Sequence, residues 1–150
     1  MKVIFRSGIL FFALFFASFC SSELIASGPS SQPDSEEYQF YGRHFIASYY
    51  DCDHAALTNL EQLSKAINLA VSASGAQSLK SCEYIFEPDA LTMVVLLSES
   101  HASIHTYPER NACFVDLFTC GTRCSAENFD EVLQAYLKPQ KVSSDLIERQ

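Results

Sequence analysis

VVLLSESHASIHTYPERNACFVDLFTCG, residues 94–121, is the stretch on which the fold turns. Apolar and β-branched runs at 91–98, 102–107 and 112–118 suit a pleated backbone and are separated by short polar turns, one of them carrying Pro108. Runs this close together are expected as antiparallel neighbours. Working upstream, 79–86 reads as a further strand with Pro88 in the turn that follows it, and YGRHFIASYY at 41–50 reads as another, ended by the polar DCDH. Between them lies a helix. Thr58 and Glu61 have the spacing of a capping box, Leu60, Leu63, Ile67, Ala70 and Val71 share one helical face, and Gly75 is a C-terminal stop. Downstream, Ser125 can cap a second helix with Phe129, Val132, Leu133, Tyr136 and Leu137 inward, until Pro139 ends it. The expected fold is α+β, a two-layer sandwich with an antiparallel sheet and two helices on one face. The other sheet face has no cover within the chain, so a homodimer is expected.

At 150 residues, with 48% hydrophobic and 19% charged side chains, the composition is that of one globular domain and not of a disordered chain. Eighteen Asp and Glu outnumber ten Lys and Arg, for a net charge of -8, which argues against a nucleic-acid surface. Lys2 and Arg6 precede an uncharged apolar run from residue 8 to 19, followed by Ser21 and Ser22, so 1–27 reads as a signal-like segment. An uncleaved anchor and an overextended start are the alternatives. The run is short for a membrane span, and Phe19 is a poor residue to precede a lipidated Cys20. Residues 28–40, rich in Ser, Pro and acidic side chains, read as a solvated linker, leaving 41–150 as the folded domain. Of six cysteines, removal of Cys20 leaves five, an odd number whose spacing fits no zinc pattern. Cys52, Cys82, Cys113 and Cys124 are therefore expected as buried or half-buried free thiols, and no metal site is expected.

The central stretch gathers a hydroxyl (Ser100), imidazoles (His101, His105), carboxylates (Glu99, Glu109) and a thiol (Cys120) around tight turns. Serine-hydrolase chemistry fits poorly, because there is no Gly-x-Ser-x-Gly elbow and no carboxylate evidently placed to orient either histidine. Three blocks in order, GRHFIASYYDCD at 42–53, SESHASIHTYPE at 98–109 and DLFTCG at 116–121, resemble the bacterial and archaeal S-adenosylmethionine decarboxylase proenzymes over about residues 41–141.

The resemblance implies a two-layer α+β fold, dimerisation and an active site near the dimer interface. It implies self-cleavage between Glu99 and Ser100: the Ser100 hydroxyl attacks the Glu99 carbonyl, an ester replaces the peptide bond, and β-elimination followed by hydrolysis leaves a pyruvoyl cofactor on the new N-terminus. His105 is matched to proton removal in the elimination and Thr92 to assisting the intermediate. The pyruvoyl carbonyl then forms a Schiff base with the amine of S-adenosylmethionine, with Cys120 as the proton donor after carbon dioxide leaves, on the way to spermidine. Glu109 is matched to the ribose hydroxyls, and Phe86 and Tyr107 to the adenine ring. His44, His54 and His101 receive no role.

Departures from the family pattern lie at PDALTM (88–93), where a glycine-bearing turn is usual, at Tyr107 in place of Trp, and at Arg110 and Asn111. They leave open a pyruvoyl-dependent arginine or ornithine decarboxylase, or a non-catalytic exported binding module on the same scaffold. The chain stops early for the family, at Gln150, so a final strand is expected to be missing. The resemblance points to the cytoplasm and the signal-like segment to export.

Overall fold

A period-two alternation of buried and exposed side chains runs through the central strands and decides which face of the sheet takes the helices. The computed structural model describes residues 40–121 and 123–150; the signal-like segment, and all of the linker but residue 40, lie outside the described residues. The elements in chain order are β1 (Gly42–Tyr50), α1 (His54–Thr58), α2 (Leu60–Ala73), β2 (Ser78–Phe86), β3 (Ala90–Leu97), β4 (Ser100–Tyr107), a 3-10 turn (Pro108–Arg110), β5 (Ala112–Cys120), α3 (Ala126–Leu137) and β6 (Lys141–Arg149). The six strands form one sheet in the order β2-β3-β4-β5-β1-β6, and every ladder is antiparallel.

The inward-facing residues are Phe45, Ala47 and Tyr49 of β1, Leu91, Met93, Val95 and Leu97 of β3, Ala102 and Ile104 of β4, and Cys113, Val115 and Leu117 of β5. Leu63, Ile67 and Val71 of α2 and Phe129, Leu133 and Leu137 of α3 close the core on that side. Each such side chain contributes about 1.5–3 kcal/mol by leaving water. Buried at the far end of β1, Tyr49 donates its hydroxyl to Asp130 of α3, and burial followed by that carboxylate raises its pKa. This is the α+β sandwich expected, with α2 and α3 on one face.

The local signals depart from expectation in three places. Thr58 caps nothing: it ends α1, whose N-cap is Asp53, and the cap of α2 is Asn59, whose side chain accepts from the Gln62 amide. A final strand is present. β6 pairs with β1 along its whole length, from Tyr50↔Lys141 to Gly42↔Arg149. Among the thiols, Cys52, Cys113 and Cys124 are buried as expected, but Cys82 is exposed. The Cys113 thiol donates to the Cys52 sulfur, which together with burial raises the Cys113 pKa and draws that of Cys52 below the ordinary thiol value.

The outer face carries Tyr84, Phe86, Val94, Leu96, Tyr107, Phe114 and Ile147, all more than a third exposed. That is a broad apolar surface for a solvated sheet.

Candidate active site

The ladders sort the expected site residues into two groups at opposite ends of β4. At its start, Ser100 pairs with Thr119 of β5. The Cys120 amide donates to the carbonyl oxygen of Glu99 at 3.0 Å, which is the carbonyl of the Glu99–Ser100 peptide bond. Gln77 holds the same turn from the other side, its amide donating to Glu99 Oε2 (3.0 Å) and its carbonyl accepting from the Ser98 amide (3.0 Å). Ser100 Oγ lies 3.2 Å from Nδ1 of His101. Cys120, half-buried, lines an open cleft of about 180 Å³ with Gly42, Phe118 and Arg149.

At the other end of β4, Thr92 and His105 face each other across the β3–β4 ladder, with Thr92 Oγ1 3.0 Å from His105 Nδ1. Their row continues through Tyr84 on one side and Phe114 on the other. Tyr107 packs edge-on against Phe114, with ring centroids 5.5 Å apart. Glu109 sits on the 3-10 turn just beyond. Tyr107, Glu109, Phe114 and Tyr50 line a wide cleft of about 600 Å³. Phe86, the last residue of β2, belongs to this end and stacks edge-on with Tyr84.

Five residue steps of extended chain lead from Ser100 to His105, about 16 Å at 3.3 Å per residue. The structure therefore brings Glu99, Ser100 and Cys120 together, and separately Thr92, His105, Tyr107, Glu109 and Phe86, but does not join the two groups within one chain.

Three residues without an assigned role stand at the Ser100 end. His101 contacts Ser100 directly. Asp116 of β5, whose Oδ2 accepts from Ser103 Oγ (2.6 Å), has Oδ1 3.4 Å from His44 Nε2 and 3.9 Å from His101 Nε2. The carboxylate missing from the sequence pattern is thus supplied across the β4–β5 ladder. The sequence signal was the period-two register of the two strands, which places His101 beside Phe118 and Ser103 beside Asp116.

A sequence model described as S-adenosylmethionine decarboxylase matches residues 43–150. The chain belongs to the S-adenosylmethionine decarboxylase family. The match runs through β6, past the residue at which the resemblance read from sequence blocks ends. The S-adenosylmethionine decarboxylase proenzyme of Prochlorococcus marinus (strain MIT 9313) is 43% identical over 96 residues, covering 64% of this chain and 77% of that protein. That of Thermosipho africanus (strain TCF52B) is 41% identical over 101 residues, covering 67% and 78%. The crystal structure of the adenosylmethionine decarboxylase of Aquifex aeolicus VF5 superposes with a TM-score of 0.68 at 32% identity, covering 74% of this chain and 92% of that one. The family match and the structural likeness agree with the antiparallel sheet and one-sided helices found among the described residues.

Proposed function

We propose that this chain is a self-cleaving proenzyme that decarboxylates S-adenosylmethionine, and that Ser100 is the residue converted to the catalytic pyruvoyl group. The observation that carries the reading is the Cys120 amide on the Glu99 carbonyl oxygen, beside the Ser100 hydroxyl. Attack of Ser100 Oγ on that carbonyl carbon develops negative charge on the oxygen, and a backbone N–H already aimed at it stabilises the charge without reorganisation. His101 Nδ1 is placed to accept the hydroxyl proton. As the C–N bond breaks, Glu99 becomes an ester of Ser100. Loss of the Ser100 Cα proton then expels the Glu99 carboxylate, and hydrolysis of the resulting enamine, through its imine form, releases ammonia.

The residue set fits a pyruvoyl group at position 100. Once formed, that group supplies an electrophilic carbonyl able to take the electron pair left by carbon dioxide, so no pyridoxal phosphate is required. The Cys120 thiol, one ladder position from Ser100, donates the proton that replaces the lost carboxylate. Glu109 and the Tyr107–Phe114 aromatic pair, on the wide cleft, suit the ribose hydroxyls and the adenine face.

Both steps need the two ends of β4, and the chain holds them about 16 Å apart. A two-fold axis across the exposed apolar face brings the Ser100 end of one copy to the His105 end of the other and buries Val94, Leu96 and Phe114 at the same time. The working unit is accordingly a homodimer with two composite sites, His105 and Thr92 crossing over to act on the partner copy's cleavage point.

Intact mass spectrometry tests the proposal. The wild-type protein yields two fragments, the second beginning at residue 100 and about 17 Da lighter than a serine terminus requires, and Ser100→Ala stays whole. Turnover is then assayed with S-adenosylmethionine against arginine and ornithine. A wild-type chain that stays intact through prolonged incubation defeats the proposal.

A further inference from the structure

The outer face of the sheet brings together His44 of β1, His101 of β4 and Asp116 of β5, and no step of the proposed reaction uses all three. One ligand atom of each lies within 4.8 Å of the other two, both Nε2 atoms face Asp116 Oδ1, and in the single chain each side chain is partly open, at 24%, 42% and 26% exposure. Neither histidine makes a short hydrogen bond with the carboxylate. At 3.4 and 3.9 Å both contacts exceed the usual 2.7–3.2 Å range, so the oxygen faces both rings without being drawn onto either.

The frame around these atoms is rigid. Phe118 pairs in register with His44 on one side and His101 on the other, its ring centroid 5.4 and 5.7 Å from theirs, and the two imidazoles meet edge-on at 6.3 Å. Arg149 lies over that ring at 4.5 Å. The second carboxylate oxygen of Asp116 is held by the Ser103 hydroxyl at 2.6 Å, an outer-sphere contact of the kind that orients a metal ligand.

We propose that His44, His101 and Asp116 bind a divalent transition-metal cation of the Zn²⁺ class, with further coordination positions left to water. Two imidazoles and a carboxylate are donors that suit such a cation, and Ca²⁺ or Mg²⁺ prefers all-oxygen ligands. Bonds of 2.0–2.1 Å in tetrahedral geometry set ligand atoms about 3.4 Å apart, so side-chain adjustments of about an ångström complete the set. The sequence expectation of no metal site rests on the cysteine spacings alone; these ligands come from three strands, and the sheet register unites them.

Occupancy has a consequence for maturation, and this part rests on the reading of Ser100 as the cleavage serine. Coordination through Nε2 of His101 leaves the ring proton on Nδ1, the atom 3.2 Å from Ser100 Oγ. The imidazole then donates to the serine and cannot take its proton. A bound cation therefore holds the precursor uncut, and its removal releases cleavage.

The test has two arms. In the first, Zn²⁺ is titrated into full-length protein against a chromophoric chelator. One ion per chain is expected for the wild type. Binding is lost in His44→Ala and in His44→Gln, kept in His54→Ala, and weakened about 10- to 100-fold in Ser103→Ala. Wild-type protein that binds no Zn²⁺, or folded His44 variants that bind as the wild type does, overturn the site. This arm reads the same whether or not the chain cleaves itself. In the second, the intact fraction is followed after synthesis with Zn²⁺ or with chelator. Zn²⁺ slows wild-type cleavage at least tenfold, chelator restores it, and the His44 variants do not respond. Cleavage at one rate in all conditions overturns the link to maturation while leaving the binding arm to stand on its own result.

Discussion

Co-expression of Ser100→Ala and His105→Ala chains carrying different tags tests the composite site directly. In a single chain these residues sit on one strand about 16 Å apart, a gap no rotamer change can close. If each site takes Ser100 from one copy and His105 from the other, a mixed dimer contains one intact site and one doubly defective site. Random pairing makes about half of the dimers mixed, so about a quarter of all sites, and a quarter of all chains, can mature. The cleaved chain is the His105→Ala one, because it carries the serine, and the tags identify it by mass spectrometry. Each variant expressed alone leaves its chains essentially whole. Decarboxylation in the mixture should approach a quarter of the wild-type rate. Absence of cleavage in a mixture shown by tandem purification to contain mixed dimers refutes the crossing-over of sites and returns both residues to one chain.

Cys120→Ala, isolated in its cleaved form, should lose S-adenosylmethionine turnover by roughly 10²- to 10⁴-fold in single-turnover assays, whereas a packing role predicts near wild-type rates. Tyr49→Phe removes the hydrogen bond to Asp130, which retains Gln134 as a partner, and should cost about 1.5–3 kcal/mol in urea unfolding at neutral pH. Because the folded-state pKa of Tyr49 is raised, its stabilising effect is complete below about pH 10 and declines above it by up to about 1.4 kcal/mol per pH unit, as the unfolded phenol ionises; that part of the alkaline slope should vanish in Tyr49→Phe. A chain beginning at Ser35 should cleave and turn over like the full-length protein, and loss of cleavage would assign a structural role to the segment before it.

Where packing repeats a period, the sequence was readable. The buried alternation of Leu91, Met93, Val95 and Leu97 and the helical stripe of Leu63, Ile67 and Val71 announce their elements because each presents one face to the core. β6 was missed for the converse reason. It is an edge strand exposed nearly throughout, only Val142 packs against the core, and KVSSDLIER therefore shows little contrast between its faces. The capping box at Thr58 misled because a short helix ends there and Asn59, a better cap, follows immediately. Ser100, Glu99 and Cys120 could be matched through sequence blocks, yet their closeness in sequence to His105 conceals the length of extended chain between them. The His44, His101 and Asp116 cluster was missed because period-two alternation puts the three on one face of the sheet but does not say which strands are neighbours, and their closeness depends on the β1–β5 and β4–β5 pairings.

The strand order has a consequence for the proposed cleavage. Cutting between Glu99 and Ser100 leaves β1, β2 and β3 on one fragment and β4, β5 and β6 on the other, and across the sheet these belong alternately: two strands of the first, two of the second, one of the first, one of the second. Three of the five ladders, β3–β4, β5–β1 and β1–β6, then join different molecules. The halves are laced together like the fingers of two hands and part only when all three of those ladders open. What folds as one chain can afterwards reform only by association of two, so unfolded precursor should regain its sheet, ahead of dimer assembly, at a rate independent of concentration, and the mature protein at a rate that falls on dilution.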